Sequence, residues 1–269
     1  MLQHFPNFHW PTPYGLMLAL ACVASWWFAR RRAVARTLDA SHVDLALPLA
    51  LLIGAGAARL LGTLIPGESI VAGAALVAEH RFRLPVIATS VLLVLFLYCR
   101  VARLCFRRFA DVIAPSMLLA IAILRIGCFL AGCCFGHIVE THVNTGFPWA
   151  VRFPPGSFPY RQHVALGLIG PDAAASLPVY PVQVYESAGA LLLCVLVLWL
   201  PIDRLRQGTE ALVAFGSYAA LAFLLQFLRA DDVLVAGPLT VNQFIYLAWL
   251  TAVPLLAIRI RSGRAPGNR

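Results

Sequence analysis

Seven apolar runs constrain this chain more than any other feature. They lie at about residues 12–29, 44–65, 84–101, 111–133, 182–202, 209–229 and 238–258. Each is long enough to cross a hydrocarbon core of about 30 Å. A segment crossing lipid must satisfy its own backbone hydrogen bonds, which a helix does. Of 269 residues, 61% are hydrophobic and 12% charged, with a mean hydropathy of +0.81. A soluble domain carries roughly a quarter charged residues. The expected fold is therefore all-α: a polytopic integral membrane protein of about seven transmembrane helices, forming a single transmembrane domain over 1–269. The apolar stretch Ile70–Val77 is too short to span and reads as a re-entrant or interfacial piece.

Arginine placement orients the runs. All 21 basic residues are arginine, and the net charge is +9. Arg30, Arg31, Arg32 and Arg36 follow the first run; Arg100, Arg103, Arg107 and Arg108 follow the third. Arg204 and Arg206 follow the fifth, and Arg259, Arg261, Arg264 and Arg269 the seventh. The opposite side holds only Arg81, Arg83, Arg152 and Arg161. The positive-inside rule then puts the N-terminus outside and the C-terminus in the cytoplasm. It also explains the basic charge better than nucleic acid does, and no nucleic-acid partner is expected. No basic n-region precedes the first apolar run, so no removable signal peptide is expected.

The longest connection, 136–181, is then external. It is rich in proline and aromatic residues (Phe147-Pro148-Trp149, Phe153-Pro154-Pro155-Gly156, Pro178-Val179-Tyr180-Pro181) and reads as a compact cap on the outer face.

Polar groups inside the runs share one level. Arg125 sits 14 residues beyond Asp111, roughly 21 Å along a helix at about 1.5 Å per residue. That is the outer half of its span. Arg59, Gln183, Tyr185, Glu186, Gln226, Arg229, Asn242, Gln243 and Tyr14 fall at similar depth, with Tyr218 near the middle. One reading is structural: Glu186 pairs with Arg125 or Arg59 and ties helices together. The other starts from the surplus of arginine over Glu186, the one obvious carboxylate at that level. A positive surplus in low dielectric attracts an anion, and the guanidinium fork suits phosphate. The anions at that depth are phospholipid head groups. Gly127, Gly132 and Gly136 allow close helix approach at the same end.

Cys128, Cys133 and Cys134 close the fourth run. They read as small packing residues, as a disulfide cluster on the oxidising side, or as a reactive thiol beside His137. No CxxC has a second CxxC or HxxxH to pair with, so no metal site is expected. His80, His137, His142 and His163 fall on the external side, where a histidine is either solvated or a proton carrier.

These residues resemble one known family, the prolipoprotein diacylglyceryl transferases. Asp111-Val112-Ile113-Ala114-Pro115, leading to Arg125-Ile126-Gly127-Cys128-Phe129-Leu130-Ala131-Gly132-Cys133-Cys134-Phe135-Gly136, is similar to the family's D-x-I-A-P and R-[LI]-G-N-F-x-N-G-E-x-x-G. Arg152-Phe153-Pro154 resembles its external F-P element. Pro181-Val182-Gln183-Val184-Tyr185-Glu186 resembles H-P-[ST]-Q-L-Y-E. Tyr14-Gly15, Ala58-Arg59-Leu60-Leu61-Gly62, Tyr218, Phe227-Leu228-Arg229 and Asn242-Gln243 are weaker anchors in the same order.

The resemblance implies a seven-span enzyme of the bacterial inner membrane with its site toward the outer leaflet. It would move diacylglyceryl from phosphatidylglycerol to the lipobox cysteine of a prelipoprotein signal peptide, with no metal or organic cofactor. Arg125 and Arg229 would contact phosphate, with Arg59 next. Glu186, Gln183 and Tyr185 would position an arginine or the acceptor. Tyr14, Tyr218 and Gln243 would line the lipid pocket, near Gly136. The chain departs from the pattern where Cys128 replaces asparagine and Cys133 replaces glutamate. The family's H-G-G-L has no counterpart; His80-Arg81-Phe82-Arg83-Leu84-Pro85 stands there. His137, or else His80, would then be the base. The alternatives are a non-catalytic lipid-binding scaffold and a transferase with the same donor and another acceptor.

Overall fold

A computed structural model describes residues 12–64, 83–139, 149–201, 206–230, 234–237 and 239–262. Seven long helices match the seven apolar runs: α1 (Pro13–Ala35), α2 (Ser41–Leu64), α3 (Arg83–Val101), α4 (Phe106–Ala131), α6 (Val182–Leu198), α7 (Thr209–Gln226) and α8 (Val241–Ser262). A short helix, α5 (Phe158–Ala165), lies in the 136–181 connection, and a two-stranded antiparallel ribbon, Leu234–Ala236 with Leu239–Thr240, joins α7 to α8. Among the described residues, three helices are long and apolar enough to cross a membrane by themselves: Phe106–Ala131, Thr209–Gln226 and Val241–Arg259. Ser41–Ala57, Ile87–Val101 and Val182–Leu198 are shorter apolar helices. The stretch Ile70–Val77, with His80, lies outside the described residues.

Helix α4 is the centre. It packs along α1, α6 and α7, while α2 pairs with α3 and α8 with α7. Side-chain contacts set the directions. Arg32 near the end of α1 reaches Val112 near the start of α4, and a Cβ on Gly127 would lie 2.9 Å from Met17 Cβ, so α1 runs antiparallel to α4. Ser187 bonds Ala122 and Cys194 bonds Pro115, so α6 is antiparallel too. Gly208 at the start of α7 meets Asp111 while Leu228 meets His137, so α7 is parallel to α4.

The arginine-rich end of the bundle is tied by buried charges. Glu210 accepts from Arg32 Nη2 at 2.6 Å and from Arg36 Nη2 at 2.7 Å. Asp111 accepts from the backbone N–H groups of Gly208 (2.6 Å) and Ala211 (2.8 Å), capping α7 from another helix. Pro115 has no N–H to bond the Asp111 carbonyl four residues back. Arg32 takes that carbonyl and its neighbour on Val112.

The opposite end carries the cap. Phe135–His137 runs between two other segments: Gly136 N–H donates to Tyr180 O (2.9 Å), and His137 N–H to Leu228 O (2.8 Å). Phe135, Phe153 and Val179 form its buried core. Ser176 Oγ accepts from Phe153 N–H at 2.9 Å, and His163 Nδ1 accepts from Leu177 N–H at 3.2 Å. His163 was expected on the solvated external side; it is buried, because the cap folds over it. Residues 140–148, which include His142, lie outside the described residues.

Candidate functional site

Of the polar residues expected at one level, Glu186 and Tyr218 meet Arg125. This arginine is 2% exposed. Its Nη2 donates to Glu186 Oε1 at 2.7 Å, and the same oxygen accepts from Tyr218 O–H at 2.6 Å. Three helices, α4, α6 and α7, thus meet at one carboxylate oxygen. Arg125 Nε and Nη1 are buried with no hydrogen-bond partner among the described residues. A buried unsatisfied donor costs about 1–3 kcal/mol, more on a charged group. Glu186 was expected to pair with Arg125 or Arg59, and Arg125 is its partner. Arg59 lies within α2, with its side chain outside the described residues.

Gln183, fully buried, donates from Nε2 to Cys133 O at 2.6 Å. Its Oε1, the Tyr185 hydroxyl and Gln226 Nε2 have no partner among the described residues. Tyr14 lies near the start of α1, its ring against Gly127. Arg229 joins the cap through a backbone bridge with Gly136.

Three further site candidates make structural contacts. Gln243 Oε1 accepts from Thr240 N–H (2.9 Å) while Thr240 Oγ1 accepts from Gln243 N–H (3.3 Å), a reciprocal cap on α8. Tyr218 is buried, and its hydroxyl donates to Glu186. Gly136 is a close approach: a Cβ there would lie 2.8 Å from both Tyr180 O and Leu228 O. His137 has an exposed side chain, and its backbone holds the cap together.

The cysteines are what sequence reasoning undervalued. Helix α4 ends with Gly132 at φ +73°, with Gly132 N–H donating to Phe129 O and Cys133 N–H to Cys128 O, both at 3.1 Å. That is a Schellman turn, which brings residues five apart into side-chain contact. Here the pair is Cys128 and Cys133. Cys134 follows at φ +60°, a left-handed conformation uncommon outside glycine. The three sulfurs lie within 4.8 Å of one another. The expectation of no metal-ligating group rested on paired CxxC spacing; the turn brings together three sulfurs that could hold a metal ion. The signal was present as Cys128-x3-Gly132-Cys133, a helix stop with cysteine on both sides of its contact. Hydrogen bonds with the Cys128 and Cys133 thiols, then the charges of Arg229 and Arg125, hold the Cys134 thiol well below its ordinary range, against the effect of burial.

Comparison with known proteins adds the family. A model of the family described as prolipoprotein diacylglyceryl transferase matches residues 85–259. A phosphatidylglycerol–prolipoprotein diacylglyceryl transferase of Dehalococcoides mccartyi is 30% identical over 254 residues, covering 92% of this chain and 89% of the relative. Proteins of the same name are 25% identical in Clostridium tetani (87% of each chain) and 29% identical in Thermosynechococcus vestitus (87% of this chain, 82% of the relative).

Proposed function

Because this chain belongs to the prolipoprotein diacylglyceryl transferase family, we propose that Arg125 is the centre of its donor site and holds the phosphate of phosphatidylglycerol. The protein is a membrane transferase that moves diacylglyceryl from phosphatidylglycerol to a prolipoprotein. The observation carrying the site assignment is the buried guanidinium with two nitrogens unsatisfied among the described residues. Phosphate oxygens satisfy two parallel N–H donors well, and such charge-assisted bonds are among the strong ones.

In the reaction, an acceptor thiolate attacks the glyceryl carbon bearing the phosphate. A C–S bond forms, the C–O bond breaks, and the electron pair leaves with the phosphate oxygen of glycerol phosphate. The thiol proton goes to a base or to water. Arg125, with Arg229 and Arg59, neutralises the charge growing on the leaving phosphate. Glu186 orients Arg125, and Tyr218 orients Glu186. Gln183 and Tyr185 offer polar atoms to the acceptor backbone, and Tyr14 borders the lipid. His137, exposed at the rim, passes the released proton to solvent. The acceptor nucleophile is the lipobox cysteine of a prelipoprotein signal peptide. The protein lies in the bacterial inner membrane with this level facing the outer leaflet, a placement supported by the arginine bias of the other end.

The test mixes purified protein with labelled phosphatidylglycerol and a lipobox peptide, with a Cys→Ser peptide as control. Label on the cysteine peptide alone, with glycerol phosphate released, is the expected result. Saturable lipid binding without transfer would replace this reading with a lipid-binding scaffold; transfer to another thiol alone would change the acceptor. His137→Ala should slow turnover, and an unchanged rate removes it from the reaction.

A further inference from the structure

Cys128, Cys133 and Cys134 form a tripod of sulfur at the end of α4, and we infer that it binds a thiophilic divalent cation, zinc, whose open fourth position takes the acceptor thiol.

The geometry is built for a metal. Tetrahedral zinc with Zn–S of about 2.3 Å requires sulfurs about 3.8 Å apart. The three lie within 4.8 Å of one another, so a small inward movement completes the tripod. Two separate backbone devices hold it: the Schellman turn sets Cys128 against Cys133, and the left-handed Cys134 folds the third sulfur back onto them. All three cysteines are free thiols, Cys128 a buried residue and Cys133 and Cys134 half-buried ones.

The surroundings point to an occupant. Gln183, whose Nε2 holds the Cys133 carbonyl, keeps a buried Oε1 without a partner among the described residues.

Three protein ligands and a vacant vertex is the pattern of a reactive zinc centre; structural sites close the fourth position. No fourth histidine, cysteine or carboxylate joins the group among the described residues. A thiol entering that vertex is deprotonated by coordination, its proton passing to water. It then attacks the glyceryl carbon as thiolate, the C–O bond breaks, and the phosphate leaves beside Arg125. The metal site stands without the transferase reading; the identity of the fourth ligand rests on it.

The test uses the full chain purified in detergent under reducing conditions. Metal analysis should find about one zinc per chain, falling to background in Cys128→Ser and Cys133→Ser. Loss of metal in a variant that fails to fold means nothing, so cobalt is also exchanged into the unaltered protein. A thiolate-to-cobalt charge-transfer band is expected, shifting on addition of a cysteine lipobox peptide and not of its serine analogue. No bound metal, with three thiols open to a thiol reagent, overturns the site. Two missing thiols restored by reductant show a disulfide and overturn it too. Metal without the peptide-dependent shift overturns the fourth-ligand assignment. Metal and shift without diacylglyceryl transfer uphold the inference and sink the transferase reading instead.

Discussion

Arg125 Nη2 lies 2.7 Å from Glu186 Oε1, so one nitrogen of a buried guanidinium is paired while the other two have no partner among the described residues. The pair crosses from α4 to α6 and fixes the rotation of both helices. A full ion pair would need only one such contact for structure; the two open nitrogens are what give the site something to bind with.

Arg125→Lys separates these roles. Lysine keeps the charge and loses the fork. Transfer from phosphatidylglycerol should fall by about 100-fold or more, with the protein still folded by circular dichroism. Full activity in this variant removes Arg125 from the phosphate site.

Tyr218→Phe removes the hydrogen bond to Glu186 without opening a cavity. A bond to a charged buried group contributes about 1.5–3 kcal/mol, so unfolding should be easier by about 2 kcal/mol. Equilibrium unfolding in detergent measures this, and no change shows that the hydroxyl does not hold the carboxylate.

Gly136→Ala puts a methyl group against the Tyr180 and Leu228 carbonyls. Backbone has little room to retreat, so overpacking should cost about 1–3 kcal/mol. Limited proteolysis should cut the cap faster than in the unaltered protein; equal cutting rates would refute the close packing.

His163 makes the cap sensitive to acid. Burial lowers its pKa, and its Nδ1 accepts from Leu177 N–H, which requires the neutral ring. The unfolded chain takes up a proton near about 6.5 while the folded chain resists it until lower pH. The unfolded state therefore binds more protons in that window, and stability falls as pH drops below about 6.5. Cap proteolysis should accelerate on acidification, and the pH dependence should flatten in His163→Asn. The same slope in both proteins assigns the effect elsewhere.

Asp111→Ala strips the cap from α7 by removing the acceptor of the Gly208 and Ala211 N–H groups. Loss of a helix N-cap costs about 0.5–2 kcal/mol. Asp111→Asn, which keeps an acceptor, should lose less. Equal losses in the two variants point to the charge near Arg32 and Arg36 rather than the cap.

What the sequence alone determined is the set of long helices and their polar level. Lipid-length apolar runs have one backbone solution, so α1–α4 and α6–α8 follow from hydrophobic spacing. Depth also follows, because rise per residue is constant. The Thr240–Gln243 cap and the Gly132 turn are local too, with partners only a few residues away, but the sequence reading places Gln243 in a lipid pocket and takes Gly132 as a close-approach glycine. Which polar groups meet was decided by tertiary structure. Glu210 takes Arg32 and Arg36 from 174 and more residues away, and Glu186 takes Arg125 and Tyr218 from two other helices. Those choices depend on how each helix is rotated and slid against its neighbours. Rotation and register are set by packing at small residues such as Gly127, where α1 and α4 come together. Hydrophobic periodicity in a run apolar on every side carries no such information, and only the folded bundle resolves it.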